Sequence, residues 1–205
     1  MASMPLSDDY TAVLEFVETS DFENKSLPAY HAGVVVEFGF GGGNFGLGTG
    51  LQFSAKGGKR VFTGTVLNVP YTRTRNVMPM YLQLPLTLHF RSGGFYAGAG
   101  PYAGFAITGK TTTKIEYDGS SNKESEDLEF GDEENKDFSQ FDYGVGFELG
   151  YEFFGNLRLS GSYQLGLANI FPADAVELAD DHNGDWSAKN NVIGVSLTYL
   201  FGSEE

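Results

Sequence analysis

The sequence of 205 residues contains no cysteine, three histidines, and only 13 lysines and arginines against 27 aspartates and glutamates. The absence of cysteine excludes disulfides and a thiolate metal site. The formal net charge of −14 argues against binding of nucleic acid through its phosphates. No run of about 18 apolar residues is present, so no transmembrane helix is predicted. Residues 1–9 have neither a basic n-region nor an apolar h-region, and we expect no signal peptide in this sequence; in an exported protein the signal has been removed.

Alternation of apolar and polar residues is the main pattern that the sequence does contain. Within Tyr81–Phe90, every second residue is Leu or Phe, which predicts a strand with one apolar face. A four-residue turn, Arg91–Gly94, leads into a second strand in which Phe95 is expected to pair with Phe90. Similar patterns predict eight strands in all: Tyr10–Thr19, Tyr30–Phe40, Phe45–Ala55, Tyr81–Phe90, Phe95–Phe105, Phe141–Phe153, Leu157–Ile170 and Ala188–Phe201.

Short and long connections alternate between these predicted strands. The short connections are near 41–44, 91–94 and 154–156, and the long polar ones are near 20–29, 56–80, 109–139 and 171–187. Segment 109–139 carries ten Asp or Glu against four Lys, which predicts a solvated loop. A Greek-key sandwich has no reason to alternate in this way, whereas an up-and-down barrel in an outer membrane does. An even number of strands places both termini on the periplasmic side.

The apolar residues of each predicted strand form a stripe along one face, and these apolar stripes decide which face of such a barrel contacts lipid. Eight strands enclose little volume, and about forty residues from the apolar stripes cannot fit inside. The opposite face is dominated by glycine with a few charged and amide side chains, and it does fit a narrow interior. Tyr96 and Tyr102 are expected to pack over inward glycines. If the turn at 154–156 has three residues, Glu152 lies opposite Arg158, and we predict an interior charge network of Glu37, Glu148, Glu152 and Arg158.

The hairpin YLQLPLTLHF followed by FYAGAGPYAGF resembles the outer-membrane β-barrel domain common in Bacteroidota, the PorT-like group. In that group a Tyr-Leu-x-hydrophobic-Pro-Leu strand precedes a Gly-Pro-Tyr-x-Gly strand. The resemblance implies an all-β, eight-stranded antiparallel up-and-down transmembrane β-barrel with periplasmic termini. It implies no common activity and carries over no catalytic residues. We expect one barrel domain, 10–201, with tails at 1–9 and 202–205.

Few residues suggest catalysis or metal binding. His31 and His89 are predicted near opposite ends of their strands, and neither is visibly paired with a nucleophile, so we expect no enzyme and no cofactor. Asp181, Asn183 and Asp185 offer the oxygen ligands that a divalent cation prefers, but the neighbouring glycine is not at the EF-hand position, and a solvated turn is the preferred interpretation.

Three hypotheses about function follow from the sequence. The first is a non-enzymatic outer-membrane barrel whose long extracellular loops bind a protein partner in the envelope or at the cell surface. The second is a pore or transporter for small solutes, and the third is a soluble barrel that binds a hydrophobic ligand. The partners expected under the first are outer-membrane lipid and a protein, with no nucleic acid. Conductance in planar bilayers separates the first two hypotheses, and solubility without detergent separates the third.

Overall fold

The computed structural model describes residues 17–40, 43–66, 69–133, 135–174, 176 and 187–201. Those residues form one antiparallel sheet of ten strands. The strands are β1 (Val17–Ser26), β2 (His31–Phe40), β3 (Phe45–Ala55), β4 (Gly58–Val66), β5 (Val69–Ser92), β6 (Phe95–Tyr117), β7 (Ser120–Asp127), β8 (Phe141–Phe153), β9 (Leu157–Gly166) and β10 (Asn191–Tyr199). Within these ranges no helix has the length and apolar character needed to cross a bilayer. Most of the first predicted strand, residues 10–16, lies outside the described residues.

Strands β5 and β6 form the spine of the molecule. They have 24 and 23 residues and pair with each other along nearly their whole length. The second half of β5 pairs with β3, and the first half of β6 pairs with β8. This part of the sheet, which we call the barrel sheet, has the order β2-β3-β5-β6-β8-β9-β10.

The opposite halves of the same two strands form a second region. The first half of β5 pairs with β4, which pairs with β1, and the second half of β6 pairs with β7. We call this region the extension sheet: β1, β4, β7, residues 69–77 of β5 and residues 110–117 of β6. A tilted strand needs only about 9 to 11 residues to cross the hydrocarbon core. The spine strands are about twice that length, so the extension sheet continues beyond a membrane that the barrel sheet would span.

The barrel sheet exposes its apolar face and buries its polar face, which is the reverse of a sheet in a soluble protein. Apolar side chains point outward, with Leu149 61% and Ile193 85% exposed, whereas Gln83 and Arg158 on the other face are 0% and 2% exposed. This arrangement follows from the period of two in each strand, which sends successive side chains to opposite faces. The prediction that the apolar stripes face outward is therefore confirmed.

The barrel sheet is curled into a half-barrel. Arg158 on β9 reaches Glu37 on β2 across the concave face, with Nη1 2.8 Å from Oε1. At the two edges, His31 Nε2 on β2 lies 2.8 Å from Ser196 Oγ on β10. In the described part of the chain β2 and β10 are brought close by this side-chain contact without a backbone ladder.

The hairpin registers test the turn predictions directly. Phe40 pairs with Phe45, and Glu152 pairs with Arg158 across a three-residue turn, as predicted. The expected pairing of Phe90 with Phe95 is wrong, because Ser92 pairs with Phe95. Gly93 and Gly94 alone form that turn, both with positive φ (57° and 85°), as a two-residue type I′ turn requires.

The long connections are more ordered than expected, and this accounts for ten strands where eight were predicted. Segment 56–80 contains β4 and the start of β5, segment 109–139 contains the end of β6 and β7, and β1 runs through the predicted polar stretch 20–29. Their few apolar residues, among them the buried Phe62, do not recur at every second position over a whole strand, so these strands lack the apolar period. At the other end of the chain, β9 stops at Gly166 and β10 spans only Asn191–Tyr199, within the longer predicted strands.

A small apolar cluster lies where the two sheets meet. Leu128, Phe138, Phe171 and Ala188 are buried there, and Val77 of β5 packs against them. The rings of Phe138 and Phe171 are stacked with centroids 6.4 Å apart. Leu128 and Phe138 therefore anchor the second part of the acidic segment, while its described acidic residues are exposed, as the charge predicted.

Candidate functional site

The concave face of the barrel sheet collects charged side chains at the end near the turns. Arg158 donates from Nε and Nη2 to Glu152 Oε1 (2.9 and 2.6 Å) and from Nη1 and Nη2 to the two oxygens of Glu37 (2.8 and 2.9 Å). Arg91 contacts Glu37 and lies 3.5 Å from Glu152. The guanidinium carbon of Arg158 lies 3.6 Å from the centroid of the Tyr96 ring, a cation–π contact. We call Glu37, Arg91, Tyr96, Glu152 and Arg158 the turn-end layer.

The turn-end layer contains three of the four residues predicted as an interior network. Glu148 is not in it: this residue lies opposite Gly98 and Ser162 and is half-buried. The sequence analysis did not include Arg91 in the interior network, because it placed Arg91 in a four-residue turn instead of a strand. The adjacent Gly93-Gly94 pair was the signal for a shorter turn, which would have placed Arg91 on the inward face of β5.

A second charged layer closes the end toward the extension sheet. Lys56 Nζ lies 2.7 Å from Asp142 Oδ2, and both side chains are almost completely buried. Asn190 donates to the same oxygen (3.2 Å) and to the hydroxyl of Tyr81 (3.4 Å). Lys56 also lies 4.2 Å from the centroid of the Tyr102 ring. We call Lys56, Tyr81, Tyr102, Asp142 and Asn190 the extension-end layer.

Sequence reasoning did not find the extension-end layer, because Lys56 fell in a segment without a period. Lys56 lies in the connection between β3 and β4, outside the strands. Burial lowers its pKa, and the neighbouring carboxylate of Asp142 opposes this shift. Each layer pairs its cations with carboxylates, which lowers the cost of burying charge, although Asp142 Oδ1 and Arg91 Nε have no hydrogen-bond partner among the described residues.

The chemistry that the barrel sheet offers to a substrate is limited. His31 and Ser196 form a hydrogen-bonded pair that the sequence did not predict, and the pair is exposed. In the described part of the chain no carboxylate orients this histidine, as a catalytic triad would require. No group of three or more His, Cys, Asp or Glu is arranged for a metal ion among the described residues. The candidate ligands Asp181, Asn183 and Asp185 lie outside them.

The extension sheet places like charges directly opposite each other. Three cross-strand pairs are cationic: Lys25 with Lys59, Arg60 with Arg75, and Lys114 with Lys123. Like charges in such positions destabilise a sheet, although Lys25 and Lys114 also form ion pairs with Glu23 and Glu116, each at 2.8 Å. Residues 58–77 carry Lys59, Arg60, Arg73 and Arg75 and no acidic residue, in a chain of net charge −14. The rings of Phe62 and Tyr71 lie edge to face on the same two strands, with centroids 5.9 Å apart.

Comparison with known proteins agrees with this geometry. Residues 9–172 match the family described as outer membrane protein beta-barrel domain. No match to the chain is found among the curated proteins or the solved structures. The family match covers more than half of the chain and accounts for the outward apolar face, which lies in the lipid of the outer membrane. The chain therefore belongs to the outer membrane protein β-barrel domain family.

Proposed function

We propose that this protein is a non-enzymatic outer-membrane barrel that binds a partner through the extension sheet. The observation that carries the proposal is the length of β5 and β6, which continue as paired strands far past the end of the lipid-facing belt. Both strands gain further neighbours in that region, β4 on one side and β7 on the other. A barrel that served only to fill the membrane would not need this additional sheet.

The barrel itself is proposed to have eight strands in its membrane belt. Seven strands make up the barrel sheet, and its edges β2 and β10 lie within side-chain reach of each other. Single-chain bacterial barrels have an even number of strands, which favours eight over seven. The extension sheet is built from the long connections, which face the cell surface in outer-membrane barrels.

The charge of the extension sheet suggests the chemistry of the partner. Cations concentrated on β4 and β5 raise the local potential above that of an otherwise acidic protein. An acidic surface would be attracted to β4 and the first part of β5, because residues 58–77 carry four cations and no acidic residue. The partner is therefore proposed to present an acidic surface.

Copurification in mild detergent tests the proposal. The tagged full-length protein is compared with the double variant Arg60→Glu/Arg75→Glu and with a control that reverses one charge elsewhere, Lys136→Glu, in the segment after β7. A specific partner should copurify with the wild type and the control and be lost with the double variant. Retention by the double variant at wild-type yield would exclude these strands as the binding surface.

The two alternatives from the sequence fare differently. The soluble barrel with a hydrophobic ligand is wrong, because the apolar faces point outward and the chain belongs to an outer-membrane family. A pore would need an open lumen, whereas charged layers occupy both ends of the concave face. We therefore expect no steady conductance from the wild-type protein in planar bilayers, and a steady open channel would favour the pore.

A further inference from the structure

The extension sheet carries its arginines on one face and its strand lysines on the other. Arg60 pairs with Arg75, and Arg73 lies two residues from Arg75, so these three side chains share a face. Their face continues the concave face of the barrel sheet, because Arg75 and the buried Gln83 are eight residues apart along β5. Lys59 is the neighbour of Arg60 and therefore lies on the opposite, convex face.

The sheet register places four further lysines on the convex face. Lys25 pairs with Lys59, and Lys114 pairs with Lys123. Asn76 pairs with both Lys59 and Thr112, and the remaining lysines of β6 lie two residues to either side of Thr112. We call the five residues of this face the lysine band: Lys25, Lys59, Lys110, Lys114 and Lys123.

The lysine band begins where the apolar belt of the barrel sheet ends. On the outer side of β6, Phe105 and Ile107 are 41% and 44% exposed, and Lys110 follows three residues later, opposite Met78. Rows counted outward along β5 from Met78, in steps of two residues, contain first Lys110, then Lys25 and Lys59, then Lys114 and Lys123. Each step is about 7 Å along a strand, so the first two rows border the hydrocarbon core.

Negative charge on the convex face lies mainly farther from the belt. The first three rows carry the five lysines against Asp127 and Glu23, whereas the fourth row carries Asp21 and Glu116 and no cation. The convex face is therefore positive next to the membrane and negative beyond it.

The acidic segment that follows β7 is attached to the other face. Leu128 and Phe138 anchor this segment against Val77. Val77 lies two residues from Arg75 and so belongs to the concave face. The segment is thus anchored on the side opposite the lysine band.

The ion pairs within the lysine band are exposed to water. Lys25, Lys110 and Lys114 lie 2.8, 4.0 and 2.8 Å from carboxylates whose side chains are 48 to 84% exposed. Water screens such pairs, so they contribute little. Lys59 and Lys123 form no ion pair within the described ranges. An added anion therefore competes with weak contacts at three positions and with none at the other two.

The rim at the turn end of the barrel sheet has a different composition. Its outward side chains are aromatic: Phe40, Phe45, Phe95, Phe153 and Tyr199. The arginines at this end, Arg91 and Arg158, lie on the concave face, and the described strands place no Lys or Arg outward there. Aromatic rims anchor a barrel at both interfaces, so the lysine band is an addition specific to the extension side.

We propose that the lysine band binds the phosphate groups of lipid headgroups in the leaflet next to the extension sheet. The outward face of the barrel sheet already contacts acyl chains, so one lipid can place its chains on the belt and its phosphate among the lysines. Lysine suits this position because its apolar stem lies along the belt while its ammonium group reaches the headgroup. The band is on the face opposite Arg60 and Arg75, so this site is separate from the one proposed for an acidic partner.

Native mass spectrometry of the full-length protein released from micelles tests the proposal by counting bound lipids at each lipid concentration. Phosphatidylglycerol is compared with a diacyl glycolipid that has the same chains and no phosphate. Inorganic phosphate is added as a competitor at constant ionic strength, to separate a lipid site from a site for the free anion.

Two triple variants that remove the same charge provide the comparison. The band variant, Lys25→Gln/Lys59→Gln/Lys110→Gln, removes the three lysines of the first two rows. The control, Arg60→Gln/Arg75→Gln/Lys136→Gln, removes three positive charges outside the band. Heat-modifiable gel mobility verifies that each variant has folded, and Lys59→Gln/Lys110→Gln replaces the band variant if the triple substitution prevents folding.

The wild type should bind phosphatidylglycerol at least about tenfold more tightly than the glycolipid, because each lysine near the membrane surface attracts anionic lipid. The control should keep this preference, and the band variant should lose most of it. Inorganic phosphate should leave lipid binding unchanged.

Four results would overturn the proposal. Equal affinity of the wild type for the two lipids would exclude phosphate recognition, and an unchanged preference in the band variant would place it elsewhere. An equal loss in the control would reduce the effect to net charge, and displacement by inorganic phosphate would assign the band to the free anion. None of these results bears on the protein partner, which is measured by copurification.

Discussion

At the residue scale, Arg158 is the side chain on which most of the interior charge depends. It is 2% exposed and bonds to two carboxylates that are themselves largely buried. Arg158→Leu should lower the free energy of unfolding by about 3 kcal/mol or more, because Glu37 and Glu152 would each lose their hydrogen bonds to Arg158 and keep only their contacts with Arg91. Urea unfolding in micelles, followed by gel mobility, measures the change.

The control for this prediction is a pair exposed to water. Lys136 lies 3.1 Å from Glu129, whose side chain is 66% exposed. Lys136→Leu should have a much smaller effect, since solvent screens an exposed pair. Equal losses in the two variants would mean that the turn-end layer contributes no more than a surface contact.

Neighbouring glycines on β8 provide a second prediction at this scale. A Cβ on Gly144 would collide with the carbonyl oxygen of Leu165 and lie 2.9 Å from the Tyr102 ring, whereas one on Gly146 meets nothing closer than 3.9 Å. Gly144→Ala should cost about 1 to 3 kcal/mol from overpacking. Gly146→Ala should change stability by less than about 0.5 kcal/mol. Urea midpoints compare the two, and a reversed order would show that Gly146, and not Gly144, is the tightly packed position.

At the element scale, a hairpin turn joins β6 and β7 of the extension sheet. The turn sequence indicates this hairpin, although the two strands show no apolar alternation that would have predicted them. Asp118 and Gly119 have φ of 48° and 72°, and Tyr117 pairs with Ser120 across them. Asp-Gly is a preferred type I′ turn sequence. Strand β7 has only β6 as a neighbour among the described residues and is exposed along its whole length, whereas β6 is held on both sides.

Limited proteolysis should reveal this difference between the strands. A glutamate-specific protease should cleave after Glu124 and Glu126 in β7 before it cleaves after Glu116 in β6, because a strand paired on one side opens more easily. Mass spectrometry of the early fragments gives the order. First cleavage at Glu116 would indicate that β6 is not held between β5 and β7 in solution.

At the scale of the whole molecule, the outward apolar face determines behaviour in water. The exposed apolar belt far exceeds the few hundred Å² that a soluble monomer tolerates. The protein should aggregate without detergent and refold in micelles to a form whose gel mobility changes on heating. Size-exclusion chromatography with light scattering provides the check, and a monodisperse monomer in plain buffer would contradict the lipid-facing assignment.

The orientation of the barrel gives the last prediction. With the extension sheet on the cell surface, an epitope tag at residue 120 should be detected on intact cells, while a tag after Phe201 should stay hidden until the membrane is broken. The inverse labelling pattern would place the extension sheet in the periplasm and remove the basis for a surface partner.

The sequence by itself determined the local features of the barrel. The period of two along each strand identified the outward faces, and the short turns set the registers of Phe40 with Phe45 and of Glu152 with Arg158. Both depend on residues close together in the chain, where side-chain direction and turn length are fixed by backbone geometry. The outer-membrane class followed from these features and agrees with the family match.

Only the tertiary structure decided which distant residues meet. Lys56 reaches Asp142 across 86 positions, and Arg158 reaches Glu37 across 121, because the curl of the sheet brings those strands face to face. The sequence pattern did not predict the extension sheet either. No sustained apolar alternation marks its strands, and their pairing depends on the register of β5 and β6.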